Sequence, residues 1–218
     1  MVGTTESAEK RTMNLEKNRL EALTDGIFAF AMTLLVASMI LPRSAIVTET
    51  SGAALMSLVP DFFHYIIAFF VLAAFWMAHH SQFSRIRFID RNFLLLSIVG
   101  LFFITLVPFS TSFIGDYSED ALSTIVFELN LMILGLVFAL QWYYASTNHR
   151  LISPEYQESQ VLRTRKHSLI IPFISFLGIL ITLAGFNSST LVYMTSPVVT
   201  YLIERSYRNE TRNESQDP

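Results

Sequence analysis

Six apolar stretches, each about long enough to cross a membrane, constrain the fold of this 218-residue chain more than any other feature. A bilayer core of roughly 30 Å is crossed by about 20 consecutive apolar residues in a helix. Hydrophobic residues make up 52% of the chain and charged residues only 15%, which is more apolar surface than one soluble core can bury. We therefore predict an all-α integral membrane protein with six transmembrane helices, at residues 20–41, 55–79, 92–114, 121–146, 168–186 and 190–205.

Lysine and arginine fall almost entirely on one side of these predicted spans. Loops with an excess of Lys and Arg lie in the cytoplasm, so both termini are predicted to be cytoplasmic. Only Arg43 falls on the other side of the membrane. The fourteen residues on the cytoplasmic side are Lys10, Arg11, Lys17, Arg19, Arg85, Arg87, Arg91, Arg150, Arg163, Arg165, Lys166, Arg205, Arg208 and Arg212.

The predicted outer loops are acidic. Such a rim either concentrates cations at an outer opening or consists of ordinary solvated loop charges, and the sequence leaves both readings open. The acidic residues concerned are Glu49, Asp61, Asp116, Glu119 and Asp120.

The chain divides into one membrane domain and two polar ends. Residues 1–18 are predicted to be a cytoplasmic N-terminal segment, 19–206 the six-helix domain and 207–218 a cytoplasmic tail. The longest polar connection, 148–167, is predicted to be a cytoplasmic loop. Because no short apolar stretch with a small-residue cleavage site precedes the first span, we expect that span to be retained in a multi-pass protein of the plasma membrane.

The patterns of common enzymes and metal sites are missing from the sequence. There are no cysteines, which excludes thiolate catalysis and Cys-based metal sites. The five histidines include one HH pair without a second HH or an HxxxH, too few ligands for a membrane di-iron enzyme. GxSxG, HExxH and glycine-rich phosphate loops are also absent from the sequence. We expect no catalytic residues, no cofactor, no resident metal and no nucleic-acid partner.

The start of the first span reads RLEALTDGIFAFAMTLLV, residues 19–36. At about 100° per residue, one stripe of this helix contains Phe30, Thr33, Leu34 and Ala37 and continues to Leu41. Small residues on the helix allow close approach to other helices. The stripe alone does not establish a pore, because a membrane threonine such as Thr33 commonly bonds to a carbonyl of its own helix.

Two ionisable residues in this block, Arg19 and Asp25, need partners. They lie six residues apart, about 240° around the helix, so they do not face each other. Ionisable groups within membranes usually face protein or water, and His79 and His80 at the same predicted level are candidate partners. For Arg19 the alternative is that its side chain reaches the lipid headgroups.

Two blocks of the chain resemble the endolysosomal potassium channel family and its prokaryotic relatives. The first-helix block resembles the family pattern R-x-x-x-[FL]-[ST]-D-[GA]-x-F-A. Residues 75–117, FWMAHHSQFSRIRFIDRNFLLLSIVGLFFITLVPFSTSFIGDY, resemble its W-x-x-H-H loop and the P-F-x-T-x-x-x-G-[DE]-Y end of helix three. Phe30 departs from the isoleucine or leucine that is usual in the family, and Ala37 is smaller than the usual leucine.

The resemblance implies a weakly to moderately potassium-selective channel without a TVGYG filter loop. With one six-helix set, the implied assembly is a homotetramer in the lipid bilayer, with permeant monovalent cations, K⁺ above all, as its transient ligands. Helix one would line the central pore, with an apolar constriction of Phe30, Leu34 and Ala37 and with Thr33 beside it. A polar network is implied to hold helices one and two together, consisting of Arg19, Thr24, Asp25, His79, His80, Asp90 and Asn92.

A second hypothesis is a proton-coupled carrier that uses Asp25 and His79/His80 as a relay. Carriers usually show inverted repeats and symmetrically placed broken helices, and this chain has no internal repeat. A third reading, an inert membrane scaffold or an enzyme, requires the polar groups of helix one to be incidental.

Overall fold

The computed structural model of the chain is built from helices and describes residues 2–37, 50–186 and 189–195. Short 3-10 segments lie at Thr147–His149 and Ser189–Thr195. Within the described ranges the α-helices are α1 Val2–Ala37, α2 Ser51–Ser57, α3 Val59–Phe83, α4 Arg91–Asp116, α5 Ala121–Ser146, α6 Glu158–Ser168 and α7 Ile170–Leu183.

Five helical stretches in the described part of the chain are long and apolar enough to cross a membrane. They correspond to the first five predicted spans. The sixth, at 190–205, is described only as far as Thr195, and its remainder lies outside the described residues, as do Arg43 and the predicted tail. The five stretches are Glu16–Ala37, Val59–Phe83, Arg91–Asp116, Ala121–His149 and Glu158–Leu183.

The predicted loop at 148–167 is wrong in its second half, which forms helix α6. Glu158 lies in the first turn of this helix and basic residues lie in its last turn, an arrangement that the helix dipole favours. Val161 is buried on its inner face, so packing also stabilises a segment that reads as polar. Helix α6 ends where α7 begins, at Leu169.

Helix α5 lies at the centre of the main apolar core. Phe127, Leu131 and Leu134 are fully buried there, between α4 on one side and α7 on the other. Gly135 faces the ring of Pro172 on α7, and a Cβ at this glycine would lie 2.6 Å from Pro172 Cδ. Small residues at such crossings let membrane helices approach closely.

A second apolar cluster lies at the predicted cytoplasmic end and joins α1 to the connecting segments. Leu20 of α1 packs there with Ile86, Ile152 and Val161. Ile86 and Ile152 form an isolated antiparallel bridge. Lys17 Nζ donates to the Ile86 carbonyl at 2.6 Å, which ties the start of the membrane-spanning part of α1 to the connection between α3 and α4.

Candidate functional site

Helix α1 has one buried and one exposed face along its membrane-spanning part. The buried face has the spacing of a helical stripe and packs on the rest of the protomer. It consists of Leu20, Thr24, Phe28, Ala31 and Leu35. The opposite face contains all four residues predicted to line a pore, and Phe30, Thr33, Leu34 and Ala37 are each exposed. A single protomer therefore leaves this apolar stripe uncovered.

The exposed stripe is apolar apart from one hydroxyl group. The Phe30 side chain is 62% exposed, a high value for so large an apolar group. Thr33 Oγ1 donates to the Phe30 carbonyl at 2.8 Å, as membrane threonines commonly do. A hydroxyl that donates its hydrogen keeps lone pairs that can still contact a cation. Between Gly26 and Ala37 the sequence has no ionisable side chain that could hold a metal or a cofactor.

Asp25 is bound by a tryptophan of α3. Trp76 Nε1 donates to Asp25 Oδ1 at 2.9 Å. The Trp76 ring stacks on His80, with ring centroids 6.0 Å apart. One turn before Asp25, Glu21 Oε1 lies 4.0 Å from His80 Nδ1. These four side chains join α1 to α3 at the predicted cytoplasmic end of the span.

His79 lies among aromatic rings, 3% exposed, on the inner side of α3. Its ring centroid is 4.5 Å from that of Phe83, and Phe28 and Phe138 are its other ring neighbours. Thr24 is also buried and donates to the Leu20 carbonyl of its own helix at 2.9 Å. Arg19 is exposed on the surface of α1.

Asp90 and Asn92 lie together at the start of α4 and share one partner. The Tyr144 hydroxyl donates to Asp90 Oδ2 at 2.6 Å, and Asn92 Nδ2 donates to the same hydroxyl at 3.3 Å. Asp90 Oδ1 also accepts from the Phe93 amide and so caps α4. Of the predicted network, the structure thus brings Asp25 and His80 into the contacts between α1 and α3, and Asp90 and Asn92 together at Tyr144 on α5. It does not bring Arg19, Thr24 and His79 into either group by a hydrogen bond among the described residues.

Three participants were missed by reasoning from the sequence: Trp76, Glu21 and Tyr144. A signal for Trp76 was available, because a tryptophan in a membrane helix needs an acceptor for its indole N–H and Trp76 lies one turn before His80. Tyr144 had no such signal, because it is 54 residues from Asp90 along the chain. In the part of the chain that the structure describes, no group of three His, Cys, Asp or Glu side chains could hold a metal ion.

Comparisons with known proteins agree on one family. The family described as endosomal/lysosomal potassium channel TMEM175 matches residues 19–108. A potassium channel of Chamaesiphon minutus is 31% identical over 151 residues, covering 67% of this chain and 74% of the relative. A potassium channel of Streptomyces collinus is 29% identical over 157 residues, which are 69% of this chain and 74% of the relative. The human relative, named an endosomal/lysosomal proton channel, is 30% identical over 146 residues, which are 62% of this chain and 29% of that protein.

Solved structures give the same picture of the fold. The crystal structure of a lysosomal potassium-selective channel TMEM175 homolog from Chamaesiphon minutus has a TM-score of 0.71 at 24% identity. The match covers 88% of this chain and 98% of that one. The potassium channel MtTMEM175, solved as a variant with a nanobody fusion protein, gives a TM-score of 0.60 at 19% identity. That match covers 89% of this chain and 93% of the MtTMEM175 chain.

Proposed function

Because the chain belongs to the TMEM175 family of potassium channels, we propose that it forms a K⁺-permeable, weakly to moderately K⁺-selective pore in the plasma membrane. The working unit in this proposal is a homotetramer with both termini of each chain in the cytoplasm. Four copies of α1 surround the central pore. The observation that carries the proposal is the uncovered apolar stripe on α1, which contains Phe30 and Leu34.

A ring of apolar side chains around the pore axis would be enough to keep the channel closed to ions. Four copies of Phe30, Leu34 and Ala37 around one axis would form a narrow neck that offers an ion nothing to replace its hydration shell. Water leaves such a narrow apolar constriction, and ions cannot cross the dry segment. Thr33 oxygens beside the neck would be the nearest polar contacts once it widens. Because they are few, discrimination between K⁺ and Na⁺ would be weak to moderate.

The contacts between α1 and α3 favour the channel over the proton-coupled carrier. A relay from Asp25 needs a neighbour that can both accept and donate a proton. Among the described residues, the side chain that hydrogen-bonds Asp25 is Trp76, whose indole N–H only donates. His79, the proposed next member, lies among aromatic rings. The four side chains that join α1 to α3 at the predicted cytoplasmic end fit a structural role better than a proton path.

Ion flux in reconstituted liposomes tests the proposed function. Purified protein in liposomes with a K⁺ gradient is expected to carry K⁺ flux, with protein-free liposomes as the control. In planar bilayers, single-channel steps are expected, because carriers do not give them. A bi-ionic K⁺/Na⁺ reversal potential is expected to favour K⁺ without excluding Na⁺, and a proton gradient tests the ion named for the human relative. Absence of any cation flux would contradict the proposal.

The proposed assembly predicts a definite mass for the purified protein. Native mass spectrometry from mild detergent is expected to give four times the 24.8 kDa mass of the chain. Four identical subunits suit a closed ring in which each α1 presents the same face to the axis. A predominant monomer or dimer that still conducts K⁺ would show that the stripe on α1 lines no fourfold pore.

A further inference from the structure

A buried carboxyl group lies between α5, α7 and the second 3-10 segment. Glu128 is 0% exposed, although it belongs to the membrane-spanning stretch Ala121–His149. Its Oε2 accepts from the Tyr193 hydroxyl at 2.5 Å, and that hydroxyl lies 2.8 Å from Ser175 Oγ. Tyr193 and Ser175 are themselves buried, with 4% and 0% of their surface exposed. The other carboxyl oxygen, Oε1, is buried and has no hydrogen-bond partner among the residues that the structure describes.

Helix α7 is shaped around this group. A Cβ at Gly178 would lie 2.4 Å from Glu128 Oε1 and 2.7 Å from Oε2, so a larger residue there would push the carboxyl out of its present position. The Tyr193 ring packs edge-on against Phe127 of α5, with centroids 6.1 Å apart, which fixes its hydroxyl toward Glu128. The carboxyl group therefore occupies a fitted place in the core rather than an accidental gap.

The surroundings of Glu128 suit a neutral acid. From α7 it meets Gly178, and from the 3-10 segment the titratable side chain that contacts it is Tyr193, whose hydroxyl also meets Ser175 of α7. Within the described residues, no Lys, Arg or His lies within ion-pair distance of it. An ionised carboxylate buried without a cation and with one donor is expensive, and ionisable groups inside membranes are commonly functional.

We propose that Glu128 is a proton-binding site within the membrane, separate from the pore helix, whose bound proton holds the 3-10 segment Ser189–Thr195 against α5 and α7. A proton taken from water binds Glu128 Oε1, while Oε2 keeps accepting from the Tyr193 hydroxyl. The Ser175 hydroxyl donates to the Tyr193 oxygen, so all three groups are joined. Loss of the proton leaves a buried anion that no described cation balances, so the state in which the segment moves away and water reaches the carboxylate is favoured.

Infrared spectroscopy of the full-length protein tests for the bound proton directly. The carbonyl stretching band of a protonated carboxyl is expected in the wild type near pH 7 and is expected to be lost in Glu128→Gln, which keeps the shape of the side chain. Glu155→Gln, a change at an exposed acid, is the control and should keep the band. Absence of any such band from about pH 5 to about pH 9 would overturn the proposal.

Thermal unfolding gives a second readout. The midpoint of the wild type is expected to fall as pH rises, because the folded state then has to ionise a buried acid, whereas Glu128→Gln should lose this slope. An unchanged slope in Glu128→Gln would count against the site. If Glu128→Gln does not fold, Tyr193→Phe keeps the carboxyl and removes its partner, so the carboxyl band must shift, and no shift would overturn the proposal. Neither readout depends on ion flux.

Discussion

Replacing Phe30 with alanine is expected to raise the K⁺ leak of proteoliposomes by roughly tenfold or more, equivalent to at least about 1.4 kcal/mol off the barrier to ion passage. The Phe30 side chain lies on the uncovered face of α1 and is 62% exposed. In a tetramer, four rings would be removed from the narrowest part of the neck. Water would then fill the widened space, and an apolar neck that is wet no longer stops ions. Fluorescence-monitored K⁺ flux measures the change.

The matched control for this variant is Phe173→Ala on α7. Phe173 is 61% exposed, so the same ring is deleted at nearly the same exposure but on a helix with no proposed place at the pore. Its leak should equal that of the wild type. Equal leaks from both variants, or an unchanged leak in Phe30→Ala, would show that Phe30 does not form the constriction.

Replacing Gly135 with alanine is expected to destabilise the protomer by about 1–3 kcal/mol, the usual cost of overpacking a close contact. The added Cβ would lie 2.6 and 2.7 Å from the Cδ and Cγ atoms of Pro172. Because the proline ring is rigid and belongs to α7, it cannot turn aside, and the two helices must separate. Thermal unfolding in detergent measures the effect: after heating, the height of the monodisperse peak in size-exclusion chromatography reports the fraction of protein that is still folded.

Gly52→Ala provides the control for this substitution. Gly52 lies in the short helix α2 and a Cβ there would meet no atom within 4 Å. Alanine should be neutral or slightly stabilising, because it favours the helix over glycine. Equal midpoints for Gly135→Ala and the wild type would mean that α5 and α7 tolerate separation, contrary to the packing described above.

The sequence predicts the positions of the first five spans well because each membrane helix satisfies its own backbone hydrogen bonds. Length and hydropathy therefore locate it without knowledge of its neighbours. Helix α6 does not follow this rule, since it is polar and depends on the burial of Val161 against other elements. That contact joins parts of the chain far apart in sequence, which hydropathy does not record.

The candidate site divides in the same way. The stripe from Phe30 to Ala37 repeats with the period of one helix, so the sequence predicts which residues share a face. The bond between Trp76 and Asp25 depends on how α1 and α3 are rotated relative to each other, which is set by packing. Glu128 had a signal as an ionisable residue within a predicted span, but its partner Tyr193 did not, because Tyr193 lies 65 residues away and in a segment that reads as part of another span.

The buried stripe of α1 limits how a pore built from it can open. Phe28 and Leu35 are 1% and 0% exposed, so turning α1 about its own axis would bring both toward pore water. Each such side chain costs about 1.5–3 kcal/mol to expose, and a symmetric assembly would incur that cost in all four subunits. Tilting each protomer as a rigid body keeps those contacts and still moves Phe30 away from the axis. The opening movement would thus be a concerted rigid-body tilt of the protomers, in which only the contacts between subunits change.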